Sequence, residues 1–145
     1  MKALIQRVSS ASVEVGGEIV GEIDAGLLVL LGLDRGDDVA VAARMLDKLL
    51  AYRVFADEQG RMNCSVADIG GGVLLVSQFT LSADTRKGLR PSFSSAMPPA
   101  EAEALFLQTL DMLRERHPRV AAGRFAADMQ VSLTNDGPVT FMLEL

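Results

Sequence analysis

Ser77, Gln78 and Thr80 stand together in VSQFTL, where a run that begins wholly apolar turns polar. Two chemistries fit such a place. A hydroxyl is a nucleophile only when a base or a positive field activates it. A backbone bend at the same point would instead turn the amides of Phe79 and Thr80 toward a ligand, as an oxyanion site. Polar residues at the end of an apolar strand line a cleft or mark an exposed edge, and the pattern alone leaves both open. The familiar catalytic sets are missing. His117 is the only histidine and sits beside Pro118, where capping a helix end is its expected role. Cys64 is the only cysteine and reads as a structural thiol, and no spaced His or Cys pairs suggest a metal. There is no Gly-x-Ser-x-Gly elbow and no phosphate-binding glycine loop.

Three other stretches carry candidate chemistry. SADTRKGLRPSF gathers Arg86, Lys87 and Arg90, which form either a solvated face or a small contact for phosphate. GRFAADMQV sets Phe125 and Met129 before the last strands, as core residues or as an aromatic and a thioether that sandwich a base. TNDGPVTFMLEL places Asn135, Asp136, Gly137 and Pro138 between two alternating runs. A plain hairpin turn prefers Asn-Gly; Gly-Pro fixes one backbone angle and removes a donor, so this loop reads either as a simple turn or as one that presents its backbone.

The elements that position these residues follow from periodicity. Residues 2–8 and 12–15 are expected as strands joined through SSAS, with a return over Glu18 to Ile23 after Gly16-Gly17. GLLVLLGL (26–33) and VLLVSQFTL (73–81) are continuous apolar runs of strand length and predict buried central strands. Ala42, Met45, Leu46, Leu49 and Leu50 recur at helical spacing, as do Ala102, Leu105, Phe106, Thr109, Leu110 and Leu113 behind Pro98-Pro99. Tyr52 to Phe55 can form a strand. The polar stretch from Ser82 to Met97 is a long loop, and loops of that length in a small chain are more often functional than idle. The last two alternating runs read as a hairpin, or as two strands with a short loop. Many strands with two helices, out of strict alternation, predict an α+β fold with a compact, barrel-like curved sheet.

At 145 residues the chain is expected to form a single catalytic domain, residues 1–145, with a substantial core. A net charge of −5 argues against broad electrostatic binding to nucleic acid but leaves room for a site-directed contact at an RNA end. No signal-peptide pattern and no membrane-length apolar run occur, which predicts a cytoplasmic protein with no membrane partner.

Taken in order and at these intervals, MKALIQRVSSASVEV, VSQFTL, DTRKGLRPSF, GRFAADMQV and NDGPVT resemble D-aminoacyl-tRNA deacylase of the bacterial and eukaryotic type. The resemblance spans essentially the whole chain, and the SQ-x-T and GPVT motifs together are far more specific than either alone. It implies a homodimer, without cofactor or metal, that hydrolyses the ester between a D-amino acid and the 3′ end of tRNA, and that also acts on glycine, including glycine mischarged onto alanine tRNA. It implies a barrel-like domain with two helices and an active site at the dimer interface. Gly137-Pro138 matches a cis peptide that enters the partner's pocket, where its carbonyls hold the substrate's amino group and its bulk excludes L-amino acids. Ser77, Gln78, Phe79 and Thr80 match the residues that shape the site, with the terminal 2′-hydroxyl of the RNA assisting the attack of water; Thr80 as a covalent nucleophile is the minor alternative. Phe125 and Met129 are assigned to the adenosine, Arg86, Lys87 and Arg90 to RNA, Arg7 to securing the Gly-Pro loop or the site wall, and Asn135 to a supporting role. Two positions depart from the expected pattern: Ala126 stands where glycine is expected, and Leu89 where a polar or basic residue is frequent. Two rival readings are a non-catalytic module for nucleic-acid ends and a general esterase.

Overall fold

The computed structural model describes residues 1–145. Three strands open it: β1 (Lys2–Val15), β2 (Glu18–Ile23) and β3 (Gly26–Gly32). β1 is one long strand. The break expected at SSAS does not occur, because β2 takes up pairing at Ala11 where β3 leaves off at Val8. Helix α1 (Val39–Ala51) follows, started by the Asp38 side chain, which accepts from the Val41 amide at 2.9 Å. A small hairpin of β4 (Phe55–Ala56) and β5 (Met62–Cys64) leads to α2 (Val66–Ile69), a third helix beyond the two expected. Its signal is in the sequence as Ser65 and Asp68, whose side chains and amides bond reciprocally as a capping box.

β6 (Gly72–Ser77) runs parallel to β3 and is shorter than the strand expected over 73–81. The last ladder bond runs from the Gln78 amide to the Leu31 carbonyl, at 2.8 Å. The chain then tightens into a 3₁₀ turn over Phe79–Ser82. The long loop follows, then α3 (Pro99–Arg116), β7 (Val120–Ala122) and β8 (Gln130–Glu144). β8 is one strand that pairs with β1 from Gln130 to Glu144, interrupted by a bulge, which overturns the expected terminal hairpin.

The main sheet runs β2-β1-β3-β6-β7, with β8 on the other side of β1. β2 curls round to meet β7, so the mixed sheet is nearly closed into a barrel. Closure is tight at Gly21, where a β-carbon would stand 2.5 Å from the Ala122 carbonyl oxygen. The apolar runs of β3 and β6 serve two cores, which explains their lack of alternation. Leu27, Val29, Leu31, Val73 and Leu75 pack beneath α1 and α3. Leu28, Leu74 and Val76 fill the barrel with Val8, Ala11 and Val13. His117 closes α3, but its side chain does not cap that helix. It is buried, with Nε2 2.7 Å from the Gly71 carbonyl oxygen, and so ties the end of α3 to the start of β6. No helix is long and apolar enough to cross a membrane.

Candidate active site

A cavity of about 630 Å³ opens at the carboxyl ends of the parallel pair β3 and β6, the end at which ligands bind in open α/β sheets. Ser77, Gln78 and Phe79 form one wall, and Phe125, Ala126 and Met129 the facing one. The bend after Ser77 is what opens it. Phe79 swings out, more than half exposed, and packs on Phe93 of the long loop with ring centroids 5.1 Å apart. As the first residues of the 3₁₀ turn, Phe79 and Thr80 have amides that donate to no backbone carbonyl. Thr80 itself lies outside the cavity wall and touches it through Gln78, whose Nε2 donates to Thr80 Oγ1. A hydroxyl oxygen that accepts from an amide is turned to donate its own proton outward. That hydroxyl has no hydrogen bond to an acidic or basic side chain, and Arg35 is the only ionisable residue lining the cavity.

Phe125 and Met129 pack against the core and also line the cavity. Phe125 packs against Phe106 at 5.9 Å between centroids and belongs to the core under α3, yet its other side lines the cavity. Met129 packs on the barrel core and also faces the cavity. Ala126 between them has φ of 61°, in the left-handed region that glycine adopts more easily.

Arg86, Lys87 and Arg90 do not line the cavity. They sit on an exposed tip bracketed by the Asp84–Ser92 bridge. Arg86 is not a free cation: its Nε and Nη2 donate to the two Asp84 oxygens at 2.9 and 2.7 Å, and its amide donates there too. The Arg86 side chain, then its backbone amide, hold the Asp84 carboxyl far below the usual carboxylate range. Leu89, beside them, is fully exposed.

The Gly-Pro segment forms a bulge in β8. Gln6 pairs with Thr140 and Val8 with Asn135, so Asp136 to Val139 stand opposite Arg7 alone. The Gly137-Pro138 bond is cis. Arg7 Nε donates to the Asp136 carbonyl at 2.9 Å, while its Nη1 donates to the Val54 carbonyl at 2.8 Å. Asn135 closes the base of the bulge: its Oδ1 accepts from the Val139 amide at 2.9 Å and its Nδ2 donates to Thr140 Oγ1 at 2.8 Å. Gly137 and Pro138 are exposed and do not line the cavity of their own chain.

Several cavity residues carried no signal in the sequence. Arg35 follows β3 and fastens the long loop, its Nε donating to the Ser94 carbonyl at 2.7 Å and its amide to that of Ser95 at 2.9 Å. Phe93, Met97 and Ala102 complete the apolar lining. Phe93 was the one that position betrayed, as an aromatic inside a polar loop.

The cavity of this barrel is thus walled mainly by apolar side chains, with no convergent acid, base or thiol. The family of the chain follows from comparison. Residues 4–144 match the family model described as D-Tyr-tRNA(Tyr) deacylase, and the chain belongs to that family. The D-aminoacyl-tRNA deacylase of Stutzerimonas stutzeri (strain A1501) is 69% identical over 144 residues, covering 99% of both chains. That of Pseudomonas aeruginosa (strain LESB58) is 65% identical over the same length and coverage. Among solved structures, one titled c-Myc DNA Unwinding Element Binding Protein superposes with a TM-score of 0.96 at 44% identity, covering 100% of this chain and 99% of that one. A probable eukaryotic D-amino acid tRNA deacylase shares the fold, with a TM-score of 0.83 at 16% identity over 99% of this chain and 98% of that one.

Proposed function

We propose that this chain is a cytoplasmic homodimeric editing enzyme that hydrolyses D-aminoacyl-tRNA and spares L-aminoacyl-tRNA. The observation that carries this reading is the Gly137-Pro138 bulge, built out of a long strand, braced by Arg7 and Asn135 and left exposed. Its own cavity does not use it, which suits donation to a second copy. β8 supports the same reading, since Leu133, Phe141 and Met142 along it and Leu145 just beyond it are each more than a third exposed. Seated in the partner's cavity, a rigid Gly-Pro wedge would offer carbonyl oxygens to the substrate's α-amino group and strike the side chain of an L-amino acid. Discrimination by clash needs no side-chain pocket, so many D-amino acids are accepted.

Catalysis in this reading rests on positioning. The terminal adenosine lies against the wall of Phe125 and Met129, the ester carbonyl faces the free amides of Phe79 and Thr80, and the neighbouring 2′-hydroxyl of the ribose assists water. Gln78 occupies a lone pair of Thr80 Oγ1 and no base is hydrogen-bonded to that hydroxyl to activate it, which disfavours Thr80 as nucleophile. Glycyl-tRNA, which has no side chain to clash, is accepted too. Lys87 and Arg90 supply phosphate contacts from the loop, Arg86 being engaged by Asp84.

The test is hydrolysis of D-Tyr-tRNA and L-Tyr-tRNA side by side with catalytic protein, together with sedimentation to read the dimer. Rapid loss of the D-ester alone is expected, and Thr80→Ala should keep most of the single-turnover rate. Loss of both esters would mean an esterase without the filter. A second reading, a module that binds nucleic-acid ends, draws on the 44% identical relative described as a c-Myc DNA unwinding element binding protein. Net acidity weighs against it, and hydrolysis of neither ester would favour it.

A further inference from the structure

A second cavity, of about 500 Å³, lies on the far side of Phe125, which lines both. One wall is a face of α3 carrying Leu107 and Leu110; the other is the seam where β7 meets Val20 of β2. Leu107 falls outside the inner stripe of α3 and is about half exposed (49%), an apolar side chain on a face that otherwise carries charge. β7 ends the hydrogen-bonded order of the sheet, so its backbone toward β2 has no ladder partner. Arg124, next to Phe125, lines the groove and makes no ion pair or side-chain hydrogen bond within the chain. Arg114 lines it further along; its only carboxylate neighbour, Asp111, is 3.9 Å away and exposed. Glu103 is the one carboxylate on the rim.

We infer that this groove holds the nucleotide that precedes the terminal adenosine. The inference rests on the proposed reading of the first cavity as the adenosine site. An unstacked base lies over Leu107 and the edge of Phe125, and the phosphate that joins the two nucleotides crosses the shared wall beside Arg124. Single-stranded RNA ends are held in this way, by an apolar or aromatic platform for each base and a cation for each phosphate. Continuity through Phe125 sets the direction of the strand. Charge supports it: Arg124, unpaired within the chain, lines the groove beside the Phe125 wall that the two cavities share. The cations of the 82–97 loop lie at the opposite, Phe93 end, and one of them is already neutralised. A free nucleoside ester would leave the groove empty.

The test compares two substrates, D-Tyr-tRNA and the D-tyrosyl ester of adenosine alone. Arg124→Ala is expected to raise KM for the tRNA about tenfold at low salt and to lower the salt slope of kcat/KM by about one. It should leave the adenosine ester within about twofold, and Arg124→Lys should restore most of the loss. Leu107→Ser should show the same split between substrates without the change in salt slope. An equal effect on both substrates, or none on the tRNA, would overturn the inference while leaving the deacylase reading intact. So would a loss found only in Lys87→Ala and Arg90→Ala. Failure of the unsubstituted protein to cleave either ester would remove both readings at once.

Discussion

Ala126 carries a methyl group at a backbone angle that L residues adopt with strain, since φ is 61°. Left-handed backbone costs such a residue about 1–2 kcal/mol, and glycine's extra freedom in the unfolded chain returns part of that. Ala126→Gly is therefore expected to stabilise by about 0.5–1 kcal/mol and to raise Tm by about 2–3 °C in thermal unfolding. Gly137 is the opposite case. Its φ is 136°, and an added β-carbon would lie 2.8 Å from Val139 Cγ2 and 3.0 Å from Arg7 Nη2. Gly137→Ala must move the bulge, and a displacement of even an ångström at a positioning element costs about a hundredfold. Measured as kcat/KM, the D-ester should fall by that order and the ratio of D to L hydrolysis should shrink. An unchanged ratio would remove the wedge from the mechanism. The sequence marked both positions, one by a missing glycine and one by a Gly-Pro pair. What it could not show was the angle at either.

At the scale of elements, Arg7 is the joint. It sits on β1 and bonds at once to the bulge of β8 and to Val54, which follows α1. A guanidinium reaches two carbonyls through its planar fork, whereas an ammonium is a single point of charge. Arg7→Ala leaves both carbonyls without this donor and should destabilise the fold by about 2 kcal/mol in denaturant titration. Arg7→Lys should recover part of that stability but not the D-ester rate, because one contact is lost and the bulge loosens. Equal activity of both variants with the parent would show that the bulge holds itself. Arg7 and Asp136 are 129 residues apart, so only the pairing of β1 with β8 brings them together. The same pairing explains why a terminal hairpin was expected. Alternation with a central turn looks identical whether the two runs pair with each other or both pair with a third strand. Likewise the strand expected over 73–81 ended at Ser77, because its hydrogen bonds depend on where β3 stops.

For the molecule as a whole, the amino-terminal strand is tied down by charge. The ammonium of Met1 is buried, 2.9 Å from Asp34 Oδ2 and from Asp37 Oδ2, and donates to the Leu145 carbonyl at 2.9 Å. Burial works to raise the Asp34 carboxyl, but donors around it outweigh burial and hold it below the usual range: the Ser82 hydroxyl, the amino terminus and Lys2. A carboxyl whose folded pKa is depressed stabilises the fold above its unfolded value, near 4, and that stability is lost as pH falls through the folded pKa. Tm should therefore drop as pH is lowered from about 5 toward 3, and the drop should be shallower in Asp34→Asn. Identical slopes for the two proteins would place the acid sensitivity elsewhere.

The sequence by itself determined the two helical stripes, the apolar central strands, the absence of an acid, base or thiol kit, and the order of motifs that marks the family. These are local properties, written in spacing and residue type. The tertiary structure decided where the strand after Val76 bends, that Arg86 is masked while Arg124 is free, that Gly-Pro is a bulge braced across the sheet, and that Phe125 is a wall between two cavities. Each of those depends on groups distant in sequence meeting in space, and periodicity along one chain carries no record of such meetings.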